Sequence, residues 1–410
     1  MWSWVRTGNV LPISPADCRD IVITHRALTA ISASVETCHG ASLQSGKTPV
    51  YPVTIDVEDC GAAYRFLMPV LAATPGAWLL TGTPRLLQRP ILPLVEVLRG
   101  IGADIERVEE GWLIQGRAFR SVETFPETSL QIDASQSSQM ASALVLAAPL
   151  LGLRTLHLTT PDIPSLSYLR MTLACTRDWP VEIPGVDVPE SPIGAFGDWS
   201  AALFWFAYAR LHPEHTLSLS PLSLESIQGD SIICQWFKQL NVSVACRDAR
   251  PCVSTTPVVE ISAKPLEIMP RLTLDVRDNL DTVPVMAALA ALLPADITFQ
   301  NVRNLQYKES DRLHALATQL QPYADIEISD NEFRVVGKGQ PLVAGAGFDT
   351  RHDHRLAMAF LLFPDAKLND TDCLAKSYPC LIPIASLIKR WFPPEPQHGD
   401  FGEETEQRQH

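Results

Sequence analysis

Apolar residues recur with a helical period at several points along the chain, and two of these stretches share one plan. In RPILPLVEVLRGIGADIERVEEGWLIQG, from Arg89, the residues Ile91, Leu94, Val95 and Leu98 fall at i, i+3, i+4 and i+7, which predicts an amphipathic helix. A glycine stop, a strand over 104–108 and a second over 112–115 follow. In RLHALATQLQPYADIEISDNEFRVVG, from Arg312, the stripe is Leu313, Leu316, Ala317 and Leu320, and ADIEIS and EFRVVG predict a hairpin. The string Ala-Asp-Ile-Glu falls at the same point of both units. Weaker copies begin at Ile232 and Tyr168. Such recurrence predicts an α/β protein made of duplicated units. No G-x-G-x-x-G follows a predicted strand, which argues against a doubly wound dinucleotide-binding sheet.

A chain of 410 residues calls for two domains. The stretch PGVDVPESPIGAFGD, rich in proline and glycine, marks a boundary near residue 196, and the polar tail after Pro393 reads as disordered. The net charge of −13 argues against nucleic acid or an anionic membrane as partner. It leaves room for a small anionic substrate in a cleft where a few cations converge. Nine cysteines without a C-x-x-C pair fit reduced thiols in a cytosol, with neither a disulfide framework nor a zinc site. The apolar run ALVLAAPLLGL is too short for a bilayer and carries Pro149, and the N-terminus lacks a signal-like apolar core. A soluble, cytoplasmic protein is expected.

Candidate chemistry stands just ahead of the apolar helices. QSSQ, 136–139, offers hydroxyls and helix-start N–H groups, which suit a phosphate, although two serines there also make an ordinary N-cap. YKESDR, 307–312, places Lys308 and Arg312 four apart, a pattern that a solvated helix face also produces. In DTRHDHRLAMAF, cations crowd a helix start that the helix dipole makes unfavourable for them, so an anionic ligand explains them better than solvation does. Lys376 in AKSYP, and Arg85 and Arg89 in GTPRLLQRPI, complete the set. His352 and His354, with no carboxylate-rich or cysteine partner nearby, make a poor metal site, and no G-x-S-x-G elbow supports a serine hydrolase.

These segments, in order, resemble the 5-enolpyruvylshikimate-3-phosphate synthase family of enolpyruvyl transferases. GTPRLLQRPI is similar to its R-P-I segment, SSQMASALVLAAPL to its S-S-Q helix start, and SLSYLRMTL to S-x-P-Y-x-x-M-T without the proline. NLQYKESDRL resembles N-x-x-x-K-E-[ST]-D-R, DHRLAMAF resembles D-H-R-M-A-M, and AKSYP resembles K-[ST]-[YF]-P. DCGAAYRFL is similar to the N-A-G-T-A-M-R loop, and GDWSAALFWFAYA to the segment that crosses between domains. The resemblance implies the two-domain fold of that family, an inside-out α/β barrel in which each domain holds three βαβαββ-type units. One domain is expected from 1–17 plus 197–410, carrying both termini, and the other from 18–196, with the active site in the cleft between them.

It further implies transfer of the enolpyruvyl group of phosphoenolpyruvate to the 5-hydroxyl of shikimate 3-phosphate with release of phosphate, without metal or cofactor and by a monomer. Carried over, Arg26, Ser137, Ser138, Ser165, Asn304 and Lys308 hold the shikimate substrate. Gly61, Arg89, Gln139, Arg312, Arg355 and Lys376 hold phosphoenolpyruvate, guanidinium forks matching its carboxylate. Asp281 is the base and Glu309 its partner for proton transfer at the methylene, whereas His354 reads as structural. In the first motif, S-K-S-x-S-N-R-A-L becomes DIVITHRAL, so Ile21 and Val22 stand where the family has lysine and serine, and the segment up to Asp59 is short. Lys47 and Arg19 are the cations near enough in sequence to replace that lysine. Two other readings follow: a homologue that only binds anions or a partner, and transfer to UDP-N-acetylglucosamine. The absence of a cysteine shortly before Arg89 speaks against the second.

Overall fold

The computed structural model describes residues 1–14, 17–40, 51–118, 128–190, 197–247, 257–266, 268–339 and 344–382. Among these residues two hydrophobic cores form, one from residues 4–183 and one from residues 199–381.

The first domain opens with helices α1 (Trp2–Thr7) and α2 (Arg19–Gly40). Strand β1 (Val53–Asp56), helix α3 (Gly61–Ala72), β2 (Gly76–Thr81), the short α4 (Pro84–Leu87), α5 (Leu92–Gly100), β3 (Asp104–Val108) and β4 (Gly111–Gly116) follow. After these come β5 (Thr128–Ile132), α6 (Gln139–Leu151), β6 (Leu153–Leu158) and α7 (Leu166–Cys175). β1 pairs in parallel with β2, and β4 lies antiparallel between β2 and β3, giving the order β1-β2-β4-β3. The sequence-predicted helix and hairpin after Arg89 are thus α5, β3 and β4. α6 is buried nearly all round and runs through Pro149 to Leu151, where Gly152 at φ 67° closes it.

The second domain holds α8 (Trp199–Leu211), β7 (Thr216–Leu219), α9 (Ile233–Gln239), β8 (Val242–Arg247), β9 (Val258–Ala263) and β10 (Arg271–Asp275). It continues with α10 (Val283–Leu292), β11 (Asp296–Gln300), α11 (Arg312–Leu320), β12 (Ala324–Ile328), β13 (Glu332–Gly337), β14 (Gly347–Phe348), α12 (His354–Phe360) and β15 (Lys367–Leu368). The order β10-β11-β13-β12, with the same parallel and antiparallel pairings, repeats the first sheet. α10 is apolar on every side and nine of its residues are buried. A helix of that kind belongs inside, with the sheets around it. The arrangement is the inside-out one.

The weaker repeats fare differently. The copy from Ile232 gives α9 and β8 in the antiparallel sheet β7-β9-β8. The copy from Tyr168 gives α7 but no hairpin in the described residues, where a single bridge joins Thr155 to Glu182. Pro180 and Pro184 remove ladder donors at that point. The N-terminal assignment also changes. Trp4 and Val5 lie in the first core, the Trp4 indole N–H donates to Ser32 Oγ at 2.6 Å, and the Trp2 indole N–H donates to Asp178 at 3.0 Å. Residues 2–7 therefore sit on the first domain, because the two indoles and Val5 find their partners there, and not with the half that ends the chain. The tail after Pro393 lies outside the described residues. Among those described, no helix is long and apolar enough to cross a membrane.

Candidate active site in the interdomain cleft

Each sheet ends its first strand in a turn that starts a buried helix, and these turns face one another across the cleft. Two adjoining cavities of about 790 and 460 Å³ occupy it. Ser137, Ser138, Ser165, Asn304 and Lys308 line the larger. Gly61, Glu309, Arg355 and Lys376 line the smaller, and Arg89, Gln139 and Asp281 face both. The separate sequence clusters therefore converge.

Cross-domain bonds set the geometry. The Arg85 guanidinium donates to the carbonyls of Gln306, Lys308 and Glu309, which end the turn Arg303–Tyr307 and the loop after it. The Asn304 side-chain N–H donates to Ser135 O at 3.1 Å, and the Ser165 N–H donates to Arg277 O at 2.9 Å. Arg89 meets Glu309 at 3.2 Å, and the Lys376 ammonium donates to both the carbonyl and the carboxylate of Asp59, at 2.7 and 2.9 Å.

The acidic pair is held by cations. Asp281 takes the Lys308 ammonium at 3.0 Å and Arg312 at 2.7 Å. Burial alone would push this carboxyl up, yet Lys308, Arg312 and Arg355 hold it well below the usual carboxylate range. Glu309 behaves alike: burial opposes ionisation, and Arg89, Arg312 and Lys376 overcome it. Burial also drives the His354 imidazole down to about 3, helped by Arg355, so it is a neutral neighbour and not a base. The Arg89 and Arg355 Nε atoms are buried without hydrogen-bond partners. A buried, unsatisfied guanidinium donor is costly, and an anion is the chemical class that would supply the missing acceptor.

Two expected ligand contacts are placed elsewhere. Arg26 lines neither cavity; its side chain is 55% exposed and turns to Glu58 at 2.9 Å, because that carboxylate lies behind the glycine turn and within reach. Arg312 is 1% exposed, and its donors are spent on Asp281, Glu309 and Asp353, so it orders the acids instead of offering a free fork. Arg19 also pairs with Glu58 and does not stand in for the lost lysine, and Lys47 lies outside the described residues.

Asp59, legible in sequence as a repulsive charge where the family loop has asparagine, turns out to neutralise Lys376. Two further residues, Arg65 and Asp20, escaped the sequence reading as members of the site. Arg65, fully buried on α3, donates to Gln139 Oε1 at 2.8 Å and fixes the amide; burial and the nearby Arg89 bring its pKa down to about 9. An arginine inside an apolar helix was the available signal. Asp20, at the start of α2, lines both cavities, and a carboxylate in a first helical turn resembles an ordinary dipole partner.

Known proteins resemble this chain over most of its length. A 3-phosphoshikimate 1-carboxyvinyltransferase from Bacteroides fragilis is 31% identical over 345 residues, covering 79% of this chain and 80% of its own. One from Methanoculleus marisnigri is 29% identical over 404 residues, covering 91% and 89%. Among solved structures, an EPSP synthase from Acinetobacter baumannii superposes with a TM-score of 0.60 at 20% identity, over 90% of this chain and 88% of that one. The enolpyruvyl transferase NikO from Streptomyces tendae gives 0.53 at 15%, over 88% and 86%. These likenesses bear out the two-domain fold. Residues 6–384 match the family described as EPSP synthase (3-phosphoshikimate 1-carboxyvinyltransferase), and the chain belongs to that family.

Proposed function

We propose that this protein transfers the enolpyruvyl group of phosphoenolpyruvate to the 5-hydroxyl of shikimate 3-phosphate and releases phosphate. The observation that carries the reading is the convergence of Arg89, Lys308, Arg355 and Lys376 on one cleft beside two ionised carboxylates. Lys308, Ser137, Ser138 and Ser165 form the wall suited to a phosphorylated hydroxy acid. Gly61, Arg89, Gln139, Arg355 and Lys376 form the wall suited to phosphoenolpyruvate. Asp281, ionised beside Lys308, accepts the proton of the attacking hydroxyl as the new C–O bond forms. The methylene carbon takes a proton in the same addition. Elimination then removes a proton from that carbon and breaks the C–O bond to phosphate, restoring the double bond.

Glu309 suits the carbon proton because its ionisation depends on Arg89 and Lys376. When these two cations turn to the substrate anions, Glu309 keeps only the buried Arg312, at 2.8 Å, and its proton affinity rises at the step that needs it. One chain supplies both walls, so a monomer suffices. The free thiols of Cys18, Cys60 and Cys175 fit a reducing cytoplasm. The test is a phosphate-release assay: release is expected only with both substrates present. No release, with tight binding of shikimate 3-phosphate retained, overturns the reading in favour of a non-catalytic anion binder.

A further inference from the structure

Asp20 is a carboxylic acid that, unlike Asp281 and Glu309 in the same cleft, has no cation paired with it among the described residues. It lines both cavities, together with Arg89 and Gln139. Its Oδ1 is buried without a hydrogen-bond partner, and the Cys60 thiol donates to the carboxylate. The charged groups that face it are Lys376, Glu309 and Asp59, and the Lys376 ammonium is already taken by Asp59 and Glu309. Arg89, 9% exposed, adds an independent sign of an anion: it lines the same two cavities, and its Nε is buried without a hydrogen-bond partner.

Resting on the function proposed above, we infer that Asp20 meets the phosphate of phosphoenolpyruvate as a neutral acid, donating a hydrogen bond from Oδ1. A carboxylate there would repel the dianion, whereas a carboxylic acid offers the O–H donor that Ile21 and Val22 do not. Burial, with Glu309 and Asp59 against Lys376, lifts the Asp20 carboxyl to about 6, and an arriving anion raises it further. Binding therefore takes up a proton. Affinity is full below that value and falls as pH rises through it, by up to about tenfold per unit.

The test is calorimetry of phosphoenolpyruvate binding to the enzyme carrying shikimate 3-phosphate, between roughly pH 5 and 8, in buffers of different ionisation enthalpy. Wild type is expected to take up a proton near neutral pH. Asp20→Asn, whose amide still donates, is expected to keep the low-pH affinity of wild type and to lose the part of the pH dependence that Asp20 causes. Asp20→Ala is expected to lose that dependence and to bind roughly tenfold more weakly than Asp20→Asn. Retained binding of shikimate 3-phosphate verifies that each variant is folded. Superimposable wild-type and Asp20→Asn profiles overturn the inference, as does tighter binding by Asp20→Ala at every pH, which would make Asp20 a plain repulsive charge. Absence of proton uptake by wild type that still releases phosphate defeats this inference alone. Absence of release defeats the functional reading first.

Discussion

The two four-stranded sheets end in turns of one design that have acquired opposite chemistry. Asp56-Val57-Glu58-Asp59-Cys60-Gly61 leaves β1, and Asp275-Val276-Arg277-Asp278-Asn279-Leu280 leaves β10. In both, the leading aspartate accepts from the backbone N–H two residues on, at 2.8 and 3.0 Å. The Val57 and Val276 N–H groups each donate to the end of the neighbouring strand, at Thr81 O and Gln300 O, both 3.0 Å. Asp59 and Asp278 each reach across the cleft, Asp59 to Lys376 and Asp278 to the Ser167 N–H at 2.8 Å. From there the two diverge. The first turn runs into Gly61 and presents backbone N–H groups ahead of any helical carbonyl partner. The second continues to Asp281, a carboxylate gripped by two cations. The frame is thus indifferent to chemistry: one turn leads to a glycine at a helix start, and the other to the carboxylate that serves as base in the proposed reaction. The cross-cleft bonds differ likewise: Asp278 accepts from a backbone N–H, whereas Asp59 holds a lysine that the proposed reaction needs for its anionic substrate.

Substitutions can break this comparison at its strongest point first. Asp281→Ala removes the base and leaves Lys308 and Arg312 with one carboxylate fewer. Turnover is expected to fall about 10²- to 10⁴-fold with shikimate 3-phosphate binding preserved, measured by phosphate release and calorimetry. Gly61→Ala puts a methyl about where the Arg89 guanidinium lies, 2.4 Å from Nη1. Displacing that fork should raise the KM for phosphoenolpyruvate about ten- to a hundredfold, with little change for the other substrate. Asp59→Asn frees Lys376 from an ion pair and removes a repulsive charge. Phosphoenolpyruvate should then bind tighter, by about tenfold, read in the same titration. Asp278→Ala, in the other turn, removes a carboxylate whose cross-cleft partner is a backbone N–H and not a lysine. About 1.5–3 kcal/mol of stability should be lost, seen as a drop in thermal midpoint, with ligand affinities little changed. Equal effects of the Asp59 and Asp278 changes on ligand binding would erase the distinction drawn between the turns.

Much of this was legible in the sequence. The stripes after Arg89 and Arg312 specified both helix-and-hairpin units, because a 3.6-residue apolar period followed by alternation admits few other structures. The motif residues Ser137, Gln139, Lys308 and Arg355 pointed to an anion site by standing at or just ahead of helix starts, whereas Lys376, which ends the turn Asp372–Lys376, and Glu309 were legible through the resemblance alone. The partner of each charge was not legible, because it comes from the other domain or a distant turn. Arg26 was diverted by Glu58, Arg312 was consumed by three carboxylates, and Lys376 was claimed by Asp59. The place of residues 2–7 was also hidden, since a short helix bearing two tryptophans can bury them on any apolar face within reach. Sequence alone determined the elements, their repetition and the class of ligand, all of which follow from local period and local charge. Only the tertiary structure decided which cations remain available to a ligand and which acids are held ionised, because both depend on burial and on distances between groups far apart in the chain.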